Sequence, residues 1–207
     1  MRKIILPIAL LHFCGAALAQ MGVNQELADP NLAGEAELAA MPHMNAEIAA
    51  AVVAGRPYLS ATQLDEVLAR SLGEEQRQAL YGQLFRQINL NTASDDEIML
   101  IPGMSGKMAH EFEEYRPYTS LEQFRREIGK YVDADEVARL EQYVFIPMNL
   151  NDAPLDDFAG IPGMTPKMVH EFEEYRPYRS MDQFRREIGK YVDDDEVARL
   201  ESYVTLD

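Results

Sequence analysis

The sequence has one cysteine (Cys14), four histidines and no tryptophan in 207 residues. A disulfide bond needs two cysteines, and structural zinc sites need four ligands that are mostly cysteine or histidine. No serine or cysteine nucleophile stands in a recognisable pattern with a base. We therefore expect no enzyme activity, no metal site and no disulfide, and we expect packing alone to stabilise the fold.

Long apolar runs are scarce, and the clearest one opens the chain. Arg2 and Lys3 precede it, and Ala17-Leu18-Ala19 follows it. A basic start, a short apolar core and small residues before a cleavage point are typical of a secretory signal peptide. No later stretch approaches the roughly 18 apolar residues of a spanning helix. We predict that residues 1–19 are a signal peptide and that the mature chain is periplasmic or secreted, without membrane insertion.

Basic side chains are outnumbered throughout the chain. Lysine and arginine total 19 against 35 aspartates and glutamates, which gives a net charge of −16. A protein that binds nucleic acid without sequence preference usually carries a basic face, because phosphate neutralisation supplies its affinity. The charge therefore favours a partner with a basic surface over a polyanion.

The chain contains an internal repeat. Residues 89–147 align without a gap on residues 149–207, at an offset of 60, and more than two-thirds of the positions are identical. A degenerate third copy lies upstream, where Arg56-Pro57-Tyr58 aligns with Arg116-Pro117-Tyr118. Fixed-period self-similarity indicates a repeat architecture. We predict three domains with a 60-residue period, namely a degenerate first repeat (29–88), a second repeat (89–148) and a third repeat (149–207).

Each repeat has a helical pattern. Ser94 with Glu97 is a capping-box spacing, which predicts a helix that runs to Pro102-Gly103. Period-two alternation is confined to the short entries 89–91 and 149–151. Further helix starts are predicted at Ser60, Ser120, Ser180 and Asp133. We therefore predict four short helices per repeat and an all-α fold class.

The order of motifs in a repeat is distinctive. An Asn-x-Asn-x-Ala entry and an acidic helix lead to Ile-Pro-Gly-Met, and a second helix ending in Tyr-Arg is followed by Ser-x-x-Gln-Phe. This series resembles the double helix-hairpin-helix domain of the ComEA-like family of exported DNA receptors. The resemblance covers all three repeats, strongly for 89–124 and 149–184 and weakly for 29–88. It implies tandem double helix-hairpin-helix domains, sequence-independent binding of duplex DNA, and a monovalent cation on turn carbonyls.

The same resemblance places a DNA phosphate at the first hairpin turn, where glycine lets the backbone approach and the next helix begins. The family's turn has a second glycine, which is replaced here by Ser105 in the second repeat and Thr165 in the third. The first repeat has His43 in place of the first glycine and Glu47 in place of the lysine. We therefore expect the first repeat to support the fold rather than to bind. The candidate phosphate residues are Gly103, Ser105, Gly106 and Lys107 in the second repeat, and Gly163, Thr165 and Lys167 in the third.

A second set of candidates consists of tyrosines and arginines. The sequence YRPY occurs at 115–118 and again at 175–178. It is either an exposed patch of the residue types that anchor interfaces, or a helix-ending turn packed on the next helix. The arginine pairs that follow are either a basic stripe or members of helical ion pairs. The candidate partner-binding residues are Tyr115, Arg116, Tyr118, Arg125 and Arg126, with Tyr175, Arg176, Tyr178, Arg185 and Arg186.

Two functions follow from these patterns. The first is an exported, non-catalytic scaffold that binds a protein partner in the cell envelope, and charge and the lost glycines favour it. The alternative is ComEA-like binding of duplex DNA through the first hairpins of the second and third repeats, which the resemblance favours.

The signal-peptide prediction has a direct test. Because cleavage is expected after Ala19, mass spectrometry of the exported protein should find Gln20, or its cyclised form, as the first residue. A chain that keeps Met1 and stays in the cell interior would contradict both the signal peptide and the periplasmic or secreted location.

Overall fold

A computed structural model describes residues 20–22 and 27–206, so the predicted signal peptide lies outside the described residues. Within those two ranges the chain forms twelve helices and four two-residue strands, which confirms the all-α class. None of these helices has the length and apolarity needed to cross a bilayer. The first-repeat helices are α1 (Glu35–Ala39), α2 (Ala46–Ala54), α3 (Ala61–Leu68) and α4 (Glu74–Leu80).

The later helices follow the same order. The second repeat contains α5 (Asp95–Ile98), α6 (Gly106–Glu114), α7 (Leu121–Ile128) and α8 (Ala134–Glu141). The third contains α9 (Leu155–Phe158), α10 (Pro166–Glu174), α11 (Met181–Ile188) and α12 (Asp194–Glu201). The strands are β1 (Ile88–Asn89), β2 (Val144–Phe145), β3 (Met148–Asn149) and β4 (Val204–Thr205).

Local capping sets the helix starts. The Ser120 hydroxyl accepts the Gln123 N–H at 3.2 Å, and the Asp133 carboxylate accepts the Glu136 N–H at 2.9 Å. These caps satisfy donors that the first helical turn leaves without acceptors. The predicted starts of α7 and α8 are therefore confirmed, and Ser60 and Ser180 cap α3 and α11 in the same way.

The predicted helix after Ser94 is wrong in two respects. It ends at Ile98 rather than at Pro102-Gly103, and its capping box is only half formed. The Ser94 hydroxyl accepts the Glu97 N–H at 3.2 Å, but the Glu97 carboxylate accepts the Ala61 N–H of the first repeat at 2.8 Å. A tertiary contact thus takes the glutamate that local sequence assigns to the cap.

The short strands tie together the two ends of the second and third repeats. Strand β1 pairs with β2 in parallel, with Ile88 opposite Val144, and β3 pairs in parallel with β4, with Met148 opposite Val204. An isolated parallel bridge between Ala28 and Leu84 occupies the corresponding place in the first repeat. The chain therefore leaves each repeat beside the point where it entered.

The buried side chains form two apolar clusters. One is continuous across the first and second repeats and extends from Leu27 to Ile146. The other belongs to the third repeat and also takes in Met21 and Phe145. The first two repeats thus share one core, whereas the third has its own.

Arg86 joins all three repeats. Its side chain is fully buried, and it donates hydrogen bonds to the Tyr58 carbonyl at 3.2 Å and the Ser202 hydroxyl at 2.7 Å. The guanidinium carbon lies 4.3 Å from the Tyr203 ring centroid and 5.5 Å from that of Phe145. Cation–π contacts strengthen when they are removed from water. Arg86 therefore links the first repeat to aromatic rings of the second and the third.

Replacing Arg86 by alanine should strongly destabilise the chain. The change removes a fully buried side chain together with its hydrogen bonds and its two ring contacts, so we expect a loss of about 3–5 kcal/mol in the free energy of unfolding. Urea denaturation measures this. The control is Arg126→Ala, which removes an exposed arginine paired with Glu127 and should cost about 1 kcal/mol or less. Equal losses would refute the joining role of Arg86.

Candidate functional site

The Ile-Pro-Gly-Met turns have the backbone conformation that favours glycine. Gly103 and Gly163 have φ angles of 74° and 75°, in the left-handed region. His43, at the equivalent position of the first repeat, also has a positive φ of 64°. A histidine there is strained, whereas glycine adopts the conformation without steric cost. All three turns therefore have the same shape, but only those of the second and third repeats have a backbone free of a side chain at this point.

Each of these turns leads into a nine-residue helix. The Ser105 hydroxyl caps α6 by accepting the Met108 N–H at 3.2 Å, and Thr165 caps α10 through the Met168 N–H at the same distance. In α6 the N–H groups of Gly106 and Lys107 belong to the first turn, where helix geometry supplies no acceptor. In α10 the first residue is Pro166, which has no N–H. The second-repeat turn therefore offers more backbone donors for an anion.

Lys107 and Lys167 stand beside these turns. Among residues 20–22 and 27–206, neither lysine forms an ion pair. The Lys107 ammonium lies 5.8 Å from the centroid of the Tyr131 ring, and that of Lys167 lies 5.4 Å from Tyr191. The charge of each lysine thus remains available to an outside anion, while the ring limits where the side chain points.

Sequence reasoning missed Tyr131 and Tyr191. Their side chains are 39% and 38% exposed, and the Tyr131 hydroxyl lies 2.8 Å from that of Tyr115. The pKa of Tyr131 is raised, first by that hydrogen bond and then by the nearby Glu111 carboxylate. The sequence did contain one indication of their role. The tyrosine and the lysine occur together in the second and third repeats and are both replaced in the first, which has Ser71 and Glu47 at these positions.

The two turns differ in their surroundings. A Cβ at Gly163 would lie 3.0 Å from a methyl group of Leu32, so the first repeat partly covers the third-repeat turn. A Cβ at Gly103 would meet only the Arg139 guanidinium, at 3.7 Å. Together with Pro166, the Leu32 contact makes the second-repeat turn the more accessible of the two.

An arginine donates to one carbonyl of each turn, and turn carbonyls are the groups on which the resemblance implies a monovalent cation. Arg139 donates to the Pro102 carbonyl at 2.8 Å, and Arg199 donates to the Pro162 carbonyl at 2.7 Å. A side-chain cation therefore already faces each turn from the inside. The described residues contain no group of three or more histidine, cysteine, aspartate or glutamate side chains that would hold a metal ion.

The Tyr-Arg-Pro-Tyr segment is folded inward rather than displayed. Arg116 donates to the carbonyls of Leu90 and Ala93 at 2.6 and 2.7 Å. Asn91 donates to the Tyr118 carbonyl at 2.9 Å and accepts the Tyr118 N–H at 2.6 Å. The same bonds recur around Arg176 with Asn151, and around Arg56 with Asn31.

This network corrects the expectation of an exposed patch. Tyr118 and Tyr178 are only 1% and 3% exposed, so neither can anchor a partner at the surface. Arg116 and Arg176 donate hydrogen bonds to the entry segment of their own repeat. Tyr115 and Tyr175 are half-buried and are hydrogen-bonded through their hydroxyls to Tyr131 and Tyr191.

The arginine pairs form ion pairs rather than a free basic stripe. Arg125 makes two hydrogen bonds of 2.6 Å to the Glu141 carboxylate, which raise the pKa of its guanidinium. Arg126 lies 2.9 Å from Glu127. In the third repeat Arg185 pairs with Glu201, and Arg186 with Glu187. Ion pairs therefore replace the basic stripe, but they join neighbouring helices or adjacent residues and do not have the i to i+4 spacing expected within one helix.

Comparisons of the chain with protein-family models, curated proteins and solved structures give no match.

The buried tyrosines offer a matched pair for mutation. The Tyr58 hydroxyl donates to the Val52 carbonyl at 2.8 Å, whereas the buried Tyr118 hydroxyl has no hydrogen-bond partner among the described residues. Tyr58→Phe should therefore cost about 0.5–1.5 kcal/mol in urea denaturation. Tyr118→Phe should be neutral or stabilising, because it removes an unsatisfied polar group. Equal losses in the two variants would show that Tyr118 has a partner.

Proposed function

We propose that the protein is an exported, non-catalytic array of three double helix-hairpin-helix domains that binds duplex DNA weakly through the backbone phosphates. The domains are residues 29–88, 89–148 and 149–207, and the binding turns lie in the second and third. The main support for this proposal is that both turns combine a glycine in the left-handed region, the start of a helix and a lysine without an ion pair. The first repeat replaces that glycine with His43 and that lysine with Glu47.

The inward-folded Tyr-Arg-Pro-Tyr segment favours DNA over a protein partner as the first candidate. The expectation of a protein partner depended partly on Arg116, Tyr118 and their third-repeat equivalents, which are used inside the fold. The hairpin turns keep their donors and their lysines at the surface. The geometry of the turns therefore favours DNA binding, whereas the acidic composition alone argues against it.

The acidic background limits the affinity. The net charge of −16 opposes the approach of a polyanion, and Glu113 and Glu114 follow Lys107 along α6. Two turns that each neutralise one or two phosphates give a shallow salt dependence, since the slope is about −0.9 per phosphate. We propose that the affinity at low salt is no tighter than roughly 10⁻⁴ to 10⁻⁶ M, the range that non-specific binders reach at physiological salt. Because the starting affinity is so low, even a shallow salt dependence abolishes detectable binding at physiological salt.

A protein partner with a basic surface is the second candidate. The observation in its favour is the exposed pair Tyr131 and Tyr191, each close to a lysine and hydrogen-bonded to a second tyrosine. Tyrosine supplies a large contact area at low entropic cost. An envelope protein that binds this acidic chain would be expected to use these rings, and the binding should survive the loss of Lys107 and Lys167.

The lysines of the two turns should contribute unequally to DNA binding. Because the second-repeat turn is uncovered and has the additional N–H of Gly106, Lys107→Glu should lower the affinity for a short duplex about tenfold at low salt. Lys167→Glu should lower it less, about two- to threefold. Fluorescence anisotropy against salt concentration measures both, and the double variant should abolish binding.

The control is Lys130→Glu, which changes the net charge equally but removes a lysine already paired with Glu127. Its effect should be small if the turns bind locally. If all three variants weaken binding by the same factor, only the overall charge matters and the hairpin site is refuted. Submicromolar binding at physiological salt, lost in the double variant, would instead show a strong DNA receptor.

A further inference from the structure

Residues Gln20–Gly22 lie at the junction between the second and third repeats. The Gly22 N–H donates to the Val144 carbonyl at 3.1 Å, and the Ile146 N–H donates to the Gln20 carbonyl at 2.8 Å. Met21 forms an antiparallel bridge with Phe145. The segment thus adds an extra strand to β2, on the edge opposite the one that pairs with β1.

The junction is shaped for this segment. A Cβ at Gly22 would lie 1.8 Å from the Glu141 carbonyl oxygen, so no residue larger than glycine fits without displacement. The Gln87 side chain is nearly fully buried and donates to the Gly22 carbonyl at 3.3 Å. Met21 is 7% exposed and belongs to the apolar cluster of the third repeat. One short segment therefore contacts all three repeats.

The third repeat needs such a contact more than the second does. The first two repeats share a core and the hydrogen bond between Glu97 and the Ala61 N–H. The corresponding third-repeat residue is Asp157, one methylene shorter, and its buried Oδ2 atom has no hydrogen-bond partner among the described residues. Burial, and secondly Asp156, raise the pKa of Asp157. The third repeat contacts the rest of the chain through Phe145, Arg86 and Met21, and Leu32 also lies against its turn at Gly163.

We propose that Gln20–Gly22 is a strap that locks the third repeat against the second, and that its release frees the third repeat to move as a unit. The proposal is independent of the function assigned to the hairpin turns. Release would expose the edge of β2 and remove Met21 from the third-repeat cluster. Regions that open as a unit are those that bury their own core, and the third repeat has an apolar cluster of its own.

The test uses the chain that begins at Gln20, with Gly22→Val as the blocking variant and Met21→Asp as an independent second one. Gly34→Val is the matched control, because a Cβ at Gly34 meets nothing within 4 Å. Amide hydrogen exchange reports on the two edges of β2 separately. Ile146 donates to the strap, whereas Leu90 donates to the Phe145 carbonyl on the β1 side.

In both strap variants the Ile146 N–H should exchange at least about tenfold faster while Leu90 stays protected, and the control should change neither. The strap is refuted if Ile146 keeps its protection, or if Ile146 and Leu90 lose protection together. The chain from Gln20 has no cysteine, so spin labels can be placed at Arg126→Cys and Arg186→Cys. Their distance distribution should be narrow in the parent and broad in Gly22→Val, and an unchanged width would overturn the proposal.

Discussion

Backbone carbonyls outside regular secondary structure are the constraint on which this fold depends. Buried carbonyls need donors, and the entry segment of each repeat has neither a helix nor a long sheet to supply them. Arginine supplies them instead, since one guanidinium carries five N–H groups in a fixed arrangement. Arg116 donates to two entry carbonyls, Arg139 to the carbonyl of Pro102 in the turn, and Arg86 to the Tyr58 carbonyl.

Arginines and lysines therefore have different positions in this fold. The arginines at these positions are turned inward, and those of the 125–126 and 185–186 pairs are neutralised by glutamates. The lysines at 107 and 167 remain outside, beside exposed tyrosines. A count of basic residues therefore overstates the charge that the surface offers to a ligand, and the few free lysines acquire more weight in any binding model.

The parts of the fold that the sequence predicted are those set by local interactions. The caps at Ser120 and Asp133 involve residues three positions apart, so the spacing alone located α7 and α8. The roles of Glu97, Arg116 and Tyr118 depend on partners from another segment or another repeat, and a local reading assigned each of them wrongly or left it open. At the candidate site, glycine and lysine were predictable, but Tyr131 was not, because only the tertiary fold brings it to Lys107.

The first repeat packs against both of the others. It shares its core with the second repeat, covers Gly163 with Leu32, and places Arg86 beside the rings of Phe145 and Tyr203. It thereby helps to fix the positions of the turns at Gly103 and Gly163, each of which binds DNA only weakly under the proposed function. Linked weak sites act together only when their geometry lets both engage at once, and rigidity then lowers the ordering cost of the second contact. If the two turns bind DNA as proposed, a repeat without such a turn contributes to that binding by holding the other two in place.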